Sequence, residues 1–385
     1  MPADLPILAR TEAIVSTLLA KRRLVVTAPT GSGKSTQLPQ MLLDSGDYPD
    51  QILVLEPRRI AARMLARRVA SERGGRVGGE VGYSVRFDNQ TSTDTRIAYV
   101  TEGLLLRRLL GEPNLPRVSA LVFDEFHERN LEGDLALALA KRLTKTVRPD
   151  LALLVTSATI SAEPLCEYLG DCPLVAVEGR TYPVEIAYFG GGRDEPVWEQ
   201  AARQVVRLVP ESEGDFLVFM PGAFEIHRTI SELEHSPRLK GFDLFPLFGE
   251  LPPDRQDAAV CLGDRRKVVV ATNVAETSLT IDGVRVVIDS GLAKKARHDP
   301  RRGVNCLLPE PISRASAEQR AGRAGRTAPG HCVRLWGEKE HERRPEAETP
   351  EVRRMDLSET LLSLRAASLD PRSLDWFEPP EEEAL

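Results

Sequence analysis

At 385 residues with a formal net charge of −6, the chain has room for two α/β domains and more, and its overall charge does not mark a nucleic-acid binder, so any basic surface must be local. Its five cysteines, Cys166, Cys172, Cys261, Cys306 and Cys332, show no C-x-x-C spacing and stand apart from any histidine pair. That excludes a zinc or disulfide framework and suits reduced thiols in a cytoplasmic protein, an expectation shared by the lack of a leader-like N-terminus or a long apolar run, which leaves no membrane partner.

In chain order, residues 11–20 have helical spacing and lead into the β-type run Leu24-Val25-Val26. That run breaks into Ala28-Pro29-Thr30-Gly31-Ser32-Gly33-Lys34-Ser35-Thr36, a phosphate cradle. Gly31 and Gly33 let the backbone turn tightly with its amides inward, Lys34 offers a point charge to the β- and γ-phosphates, and Ser35 a hydroxyl to Mg²⁺. Thr30, Gly31, Ser32, Gly33, Lys34, Ser35 and Thr36 are the expected nucleotide contacts. The competing reading is a chance Gly/Ser turn, against which stand the strand before and the helix after.

Strands are expected again at Ile52–Leu55, Ile97–Val100, Val118–Phe123 and Leu151–Thr156, separated by helical or mixed segments. Apolar strands without alternation indicate a parallel sheet covered on both faces. After the first of them, Arg58, Arg59, Arg63, Arg67 and Arg68 form a local basic run, of which Arg63 and Arg67 equally suit a solvated helix face. After the third come Asp124 and Glu125, at the strand end where parallel sheets bind ligands. Asp124 suits Mg²⁺ and Glu125 the orientation and deprotonation of an attacking water, with helix capping as the structural alternative.

Asp124-Glu125-Phe126-His127-Glu128-Arg129, behind such a phosphate loop, resembles the DEAH-box helicases of superfamily 2, and the bacterial HrpB-type branch in particular. Further blocks resemble the family in order: Pro57-Arg58-Arg59 motif Ia, Thr101-Glu102-Gly103 motif Ib, Ser157-Ala158-Thr159 motif III, Phe219-Met220-Pro221-Gly222 motif IV, Ala271 to Asp282 motif V, and Gln319 to Arg326 motif VI. The resemblance implies nucleic-acid contacts at Arg58, Thr101, Thr272 and Asn273, and nucleotide contacts at Thr280 and Asp282. It also implies coupling of phosphate state to domain movement through His127, Ser157 and Thr159. Lys34, Glu125, Gln319, Arg323 and Arg326 become the catalytic set, Gln319 near the attacking water and the two arginines as fingers on the γ-phosphate. Ser35, Asp124 and Glu125 are the implied Mg²⁺ site.

Arg320, Arg323 and Arg326 stand three apart and are expected on one helix face, where three cations repel unless anions meet them. Lys294–Leu308 reads as strand, turn, strand, resembling the family's β-hairpin at the nucleic-acid exit, with Lys294, Lys295, Arg297, Arg301, Arg302 and the nearby Arg314 supplying a positive field. The family sandwiches the base between an arginine, here Arg68, and an aromatic that aligns with Val260, so stacking is weakened.

Strands are also expected at Phe216–Met220, Lys267–Ala271, Arg285–Asp289 and Cys332–Leu335, and a hinge between Pro173 and Gly192. The expected fold is α/β: two tandem RecA-like P-loop NTPase domains with parallel sheets, at 1–178 and 179–345, then an incomplete winged-helix segment at 346–385 without the family's later modules. The implied function is an ATP-dependent RNA helicase or translocase core, monomeric, binding MgATP in the cleft between the domains and moving on single-stranded RNA. A DNA helicase and a non-enzymatic nucleotide switch or scaffold are the rival readings.

Overall fold

The apolar runs of the sequence become strands within a residue or two of their expected ends. The computed structural model describes residues 5–29, 31–158, 162–179, 182–190, 195–277, 279–299 and 301–385. Thr30, Thr159, part of the expected hinge (Arg180, Thr181, Gly191, Gly192), Ser278 and Pro300 lie outside them. The chain divides into two compact units, one of residues 1–179 and 349–385, the other of residues 180–348.

In chain order the first unit carries α1 (Thr11–Lys21), β1 (Arg23–Thr27), α2 (Lys34–Asp44), β2 (Gln51–Glu56), α3 (Arg59–Glu72), β3 (Val81–Val85), β4 (Asp88–Gln90), β5 (Ile97–Thr101), α4 (Glu102–Gly111), β6 (Val118–Phe123), α5 (Leu131–Thr146), β7 (Ala152–Ser157), α6 (Glu163–Tyr168) and β8 (Leu174–Ala176). Its eight strands lie in the order β4-β3-β5-β2-β6-β7-β1-β8, all parallel except β4. β6 and β7 are buried at every residue, which is why their apolar runs do not alternate. The antiparallel β3–β4 hairpin escaped the sequence reading because β4 is three polar residues at a sheet edge.

The second unit carries β9 (Val184–Tyr188), α7 (Val197–Leu208), β10 (Asp215–Phe219), α8 (Ala223–Glu234), β11 (Asp243–Leu247), α9 (Pro253–Val260), β12 (Lys267–Ala271), β13 (Val284–Asp289), β14 (Leu292–Asp299), β15 (Val304–Pro311), α10 (Arg314–Ala321), β16 (Gly330–Arg334) and α11 (Glu338–Arg343). Six strands form a wholly parallel sheet in the order β11-β12-β10-β13-β16-β9, and β14 pairs with β15 as the antiparallel hairpin that the sequence predicts. The chain then returns to the first unit through α12 (Ser358–Ala366), where Val352, Leu357, Leu364, Leu374 and Trp376 join the core formed by β6, β7 and α5. No helix among the described residues is long and apolar enough to cross a membrane.

Where α4 meets α5, two glycines admit two carboxylates. A Cβ on Gly133 would lie 2.4 Å from the Glu102 carboxylate, and one on Gly103 would lie 2.7 Å from that of Glu132. Glu102 is buried, and burial, reinforced by the charges of Glu128, Glu132 and Glu351, holds its carboxyl well above the ordinary carboxylate range. A carboxyl whose pKa is raised on folding keeps its full stabilisation only below its unfolded value and loses it as pH rises. We therefore expect Glu102→Gln, which mimics the protonated acid at every pH, to match wild type in thermal melts near pH 4 and to melt at higher temperature than wild type at pH 8. A gap that does not change with pH would contradict this.

Candidate active site

In the first unit the carboxyl ends of three adjacent strands, β6, β7 and β1, open toward the same place, the position at which parallel sheets take ligands. β1 delivers the glycine-rich turn: Gly31 and Gly33 have φ of 85° and 92°, and a Cβ at Gly33 would also meet the Leu5 side chain at 2.8 Å. The first turn of α2 follows with Lys34, Ser35 and Thr36, and the first amides of a helix have no intrahelical acceptors and suit an anion. Ser32 is buried and its hydroxyl has no hydrogen-bond partner among the described residues. The Tyr99 hydroxyl donates to the Ser35 carbonyl at 2.8 Å, fixing the start of that helix to β5.

β6 delivers Asp124 and Glu125, both nearly inaccessible to solvent. Asp124 Oδ1 accepts from the Thr156 hydroxyl at the end of β7 and from the Glu125 amide at 2.9 Å. Its Oδ2 is buried without a hydrogen-bond partner among the described residues, which leaves one carboxylate oxygen for a cation. Glu125 Oε1 lies 2.9 Å from Lys34 Nζ, and its Oε2 lies 3.4 Å from His127 Nε2. Burial alone pushes the Lys34 ammonium down, but the charges of Glu125, Asp124 and Glu56 together outweigh it and hold the pKa above its ordinary value. His127 Nδ1 accepts from the Ala158 amide at 3.3 Å, so the imidazole links Glu125 to the segment after β7, beside buried Ser157. With Nδ1 as acceptor, the proton of the neutral ring is on Nε2, facing Glu125.

Arg58 enters α3 and pairs with Glu128 at 2.9 Å, and Thr101 stands at the junction of β5 and α4. Arg63 is buried, which rules out the solvated helix face that was one of its two readings, whereas Arg67 is exposed and Arg68 pairs with Glu72 at 2.5 Å.

In the second unit the expected single face of Arg320, Arg323 and Arg326 does not form, because α10 ends at Ala321 and the other two arginines leave on the turns after Gly322. Nor does Arg320 await an external anion. It is fully buried over the Phe219 ring, with Nε 2.8 Å from Glu276 and Nη1 2.9 Å from Asp289, and those charges drive its pKa above the ordinary arginine value despite burial. Arg323 is buried and donates to the carbonyls of Leu279, at 2.6 Å, and Glu276, while Arg326 donates to the Thr280 hydroxyl at 2.8 Å. Gln319 is half-buried on α10. Thr272 is half-buried and its hydroxyl accepts from the Val274 amide at 3.4 Å, Asn273 and Thr280 are exposed, and Asp282 is half-buried. Val260, the last residue of α9, is buried. The field of the hairpin is weaker than its basic residues promise, since Lys295 pairs with Glu348, Arg297 with Glu310 and Arg302 with Asp299.

Sequence reasoning missed Glu56, Tyr99, Thr156, Glu276 and Asp289. A signal exists for most of them: Glu56, Thr156 and Asp289 are polar residues at or next to the carboxyl end of an apolar strand, and Tyr99 lies inside one.

Comparison with known proteins agrees with this geometry. A family model for the DEAD/DEAH box helicase matches residues 9–167, and one for the helicase conserved C-terminal domain matches residues 200–328. The chain is 40% identical over 99% of its length to the pre-mRNA-splicing factor ATP-dependent RNA helicase prp22 of Schizosaccharomyces pombe, of which it covers 34%. It is 39% identical over its whole length to the probable ATP-dependent RNA helicase DHR2 of Saccharomyces cerevisiae, of which it covers 54%. The crystal structure of the Escherichia coli DEAH/RHA helicase HrpB superposes with a TM-score of 0.93 at 38% identity, over 98% of this chain and 48% of that one. The chain thus spans about half the length of these relatives or less. Its fold is the tandem RecA-like arrangement with parallel sheets, and by sequence and structure together the chain belongs to the DEAD/DEAH-box helicases.

Proposed function

We propose that this chain is an ATP-hydrolysing RNA helicase or translocase core. The observation that carries the reading is the convergence of Lys34, Asp124, Glu125, Thr156 and His127 at the ends of three neighbouring strands, behind a glycine turn and a helix N-terminus. The relatives' names, which specify ATP-dependent RNA helicases, support RNA as the substrate class. Residues 1–178 and 179–345 as the two RecA-like domains, 346–385 as the start of a winged-helix segment, a monomeric state and a cytoplasmic setting with its free cysteines belong to the same reading.

In this reading the amides and side chains of Gly31 to Thr36 cradle the triphosphate, with Thr30 expected beside them, and Lys34 exchanges the Glu125 carboxylate for phosphate oxygens. That exchange frees Glu125 to orient and deprotonate water, its second oxygen steadied by His127. Asp124, through its unpartnered oxygen, and Ser35 would hold Mg²⁺, with Glu125 adjacent, and the cation would neutralise charge on the phosphates. Arg323 and Arg326, with Gln319, act on the transferring phosphate; Arg68, Thr280 and Asp282 touch the nucleoside. Arg58, Thr101, Thr272 and Asn273 bind the nucleic-acid backbone, and His127, Ser157 and Thr159 relay the phosphate state.

Turnover of ATP measured with single-stranded RNA and DNA of equal length tests the proposal: faster turnover on RNA is expected. Equal stimulation by DNA would favour the DNA reading, and no turnover at all would leave a nucleotide switch. Glu125→Gln should bind MgATP and lose about 10²- to 10⁴-fold in kcat, since Asp124 and Glu56 still balance the Lys34 charge. Lys34→Ala should lose nucleotide affinity itself and also lower the melting temperature, because it removes the counter-charge beside the buried Glu125 carboxylate. Wild-type kcat in Glu125→Gln would contradict the assignment.

With Val260 buried at the end of α9 and Arg68 engaged by Glu72, base stacking is weak. ATP, GTP, CTP and UTP should therefore differ little in kcat/KM. A preference for ATP of about a hundredfold, worth roughly 2.7 kcal/mol, would reveal a purine pocket instead.

A further inference from the structure

The turn that leaves the Asp124-Glu125 pair is gripped from the far end of the chain. Glu125 and Arg129 both take left-handed backbone, each at φ 51°, with a single 3-10 turn, Phe126–Glu128, between them. Non-glycine residues hold that conformation only where surrounding contacts enforce it. Here many of those contacts come from residues 351–378. The Phe377 ring packs on Phe126, the residue between Glu125 and His127, with centroids 5.9 Å apart, and on Tyr168 at 5.2 Å. The Arg129 guanidinium lies 4.5 Å from the Phe377 centroid and 5.8 Å from that of Phe126. Its nitrogens bind Asp134 at 2.9 Å and Glu378 at 3.2 Å, and Glu378 is itself held by Arg353 at 2.6 Å. The Glu351 amide donates to the Arg129 carbonyl at 3.1 Å, and the Glu351 carboxylate accepts from the Leu131 amide at 3.0 Å. Ring, charged and backbone contacts from residues 351–378 thus close on Phe126, Arg129 and Leu131.

We infer that Phe377 and Glu378 are positioning residues for hydrolysis: by fixing Phe126 and Arg129 they set where the Glu125 carboxylate and the His127 imidazole stand. The inference rests on the hydrolysis reading above. The contacts of these two residues fall on Phe126, Arg129, Tyr168 and Arg353, so their effect on Glu125 and His127 passes through the turn. Planar peptides leave only φ and ψ to rotate on either side of Phe126, so a ring that loses its support frees those dihedrals and lets the carboxylate and imidazole beside it shift.

The test compares wild type, Phe377→Ala, Phe377→Leu and Glu378→Gln in steady-state ATP turnover and in amide hydrogen exchange. Phe377→Ala should lower kcat about tenfold with KM for ATP within about twofold. The amides of residues 125–129 should exchange about tenfold faster while those of β6 and β7 exchange as in wild type. Phe377→Leu, which refills the space, should recover most of kcat, and Glu378→Gln should fall between. The inference is overturned if Phe377→Ala keeps wild-type kcat, or if its loss of kcat comes with faster exchange across the whole unit, the mark of general destabilisation. Wild-type protein that fails to turn over ATP would remove the hydrolysis reading itself, whereas wild-type turnover with an unaltered Phe377→Ala removes the positioning role alone.

Discussion

The ion pair between Lys34 and Glu125 is the constraint on which the first unit turns. Two charges taken out of water lose solvation that their mutual attraction recovers only in good geometry and with further partners. The fold meets that demand from several directions: the glycine turn and α2 deliver the ammonium, β6 delivers the carboxylate, and Asp124 and Glu56 add negative charge around the ammonium. Thr156 then holds Asp124, and His127 reaches from Glu125 to the Ala158 amide. Any anion that draws Lys34 away must therefore alter Glu125, and through His127 the segment after β7.

The second unit solves a parallel problem with different parts. Arg320 is as buried as the apolar core around it and is answered by Glu276 from the segment after β12 and Asp289 from the end of β13. It ties α10 to the end of β13 and the segment after β12, beside the turns whose Arg323 and Arg326 bond the Leu279 carbonyl and the Thr280 hydroxyl. Of three arginines with the same sequence spacing, one is a structural rivet and two are anchored on the motif V segment.

How much of this the sequence discloses follows from the range of the interactions. The strand ends, the phosphate turn and the Asp124-Glu125 position were legible because each is set by residues within a few places of one another: an apolar run, a glycine pair, a break in hydrophobicity. The hairpin of β14 and β15 was legible for the same reason. What failed was inference about partners distant in sequence. Arg63 stayed open between a solvated face and a phosphate contact because a basic residue on a helix says nothing of what lies opposite, and the three motif VI arginines read as one face because helical spacing does not say where the helix stops. The positive field of the hairpin was overestimated since Lys295 is answered by Glu348, which enters from another stretch, and Arg297 by Glu310 at the far end of the hairpin's second strand. The buried Glu102 carboxyl could not be seen until α5 brought Gly133 against it.

The first unit is discontinuous in the chain, and the order of synthesis gives that a consequence. Residues 1–179 emerge from the ribosome before the second unit, yet the first unit's core includes Val352, Leu357, Leu364, Leu374 and Trp376. Until those residues are made, part of the apolar surface on α4, α5 and α6 has no cover, and the turn after Glu125 has no grip. At roughly 5–20 residues per second, the intervening stretch takes on the order of ten to forty seconds to translate. The nascent first unit must wait that long with uncovered apolar side chains beside the loop that carries Asp124 and Glu125, a window in which a chaperone has something to hold.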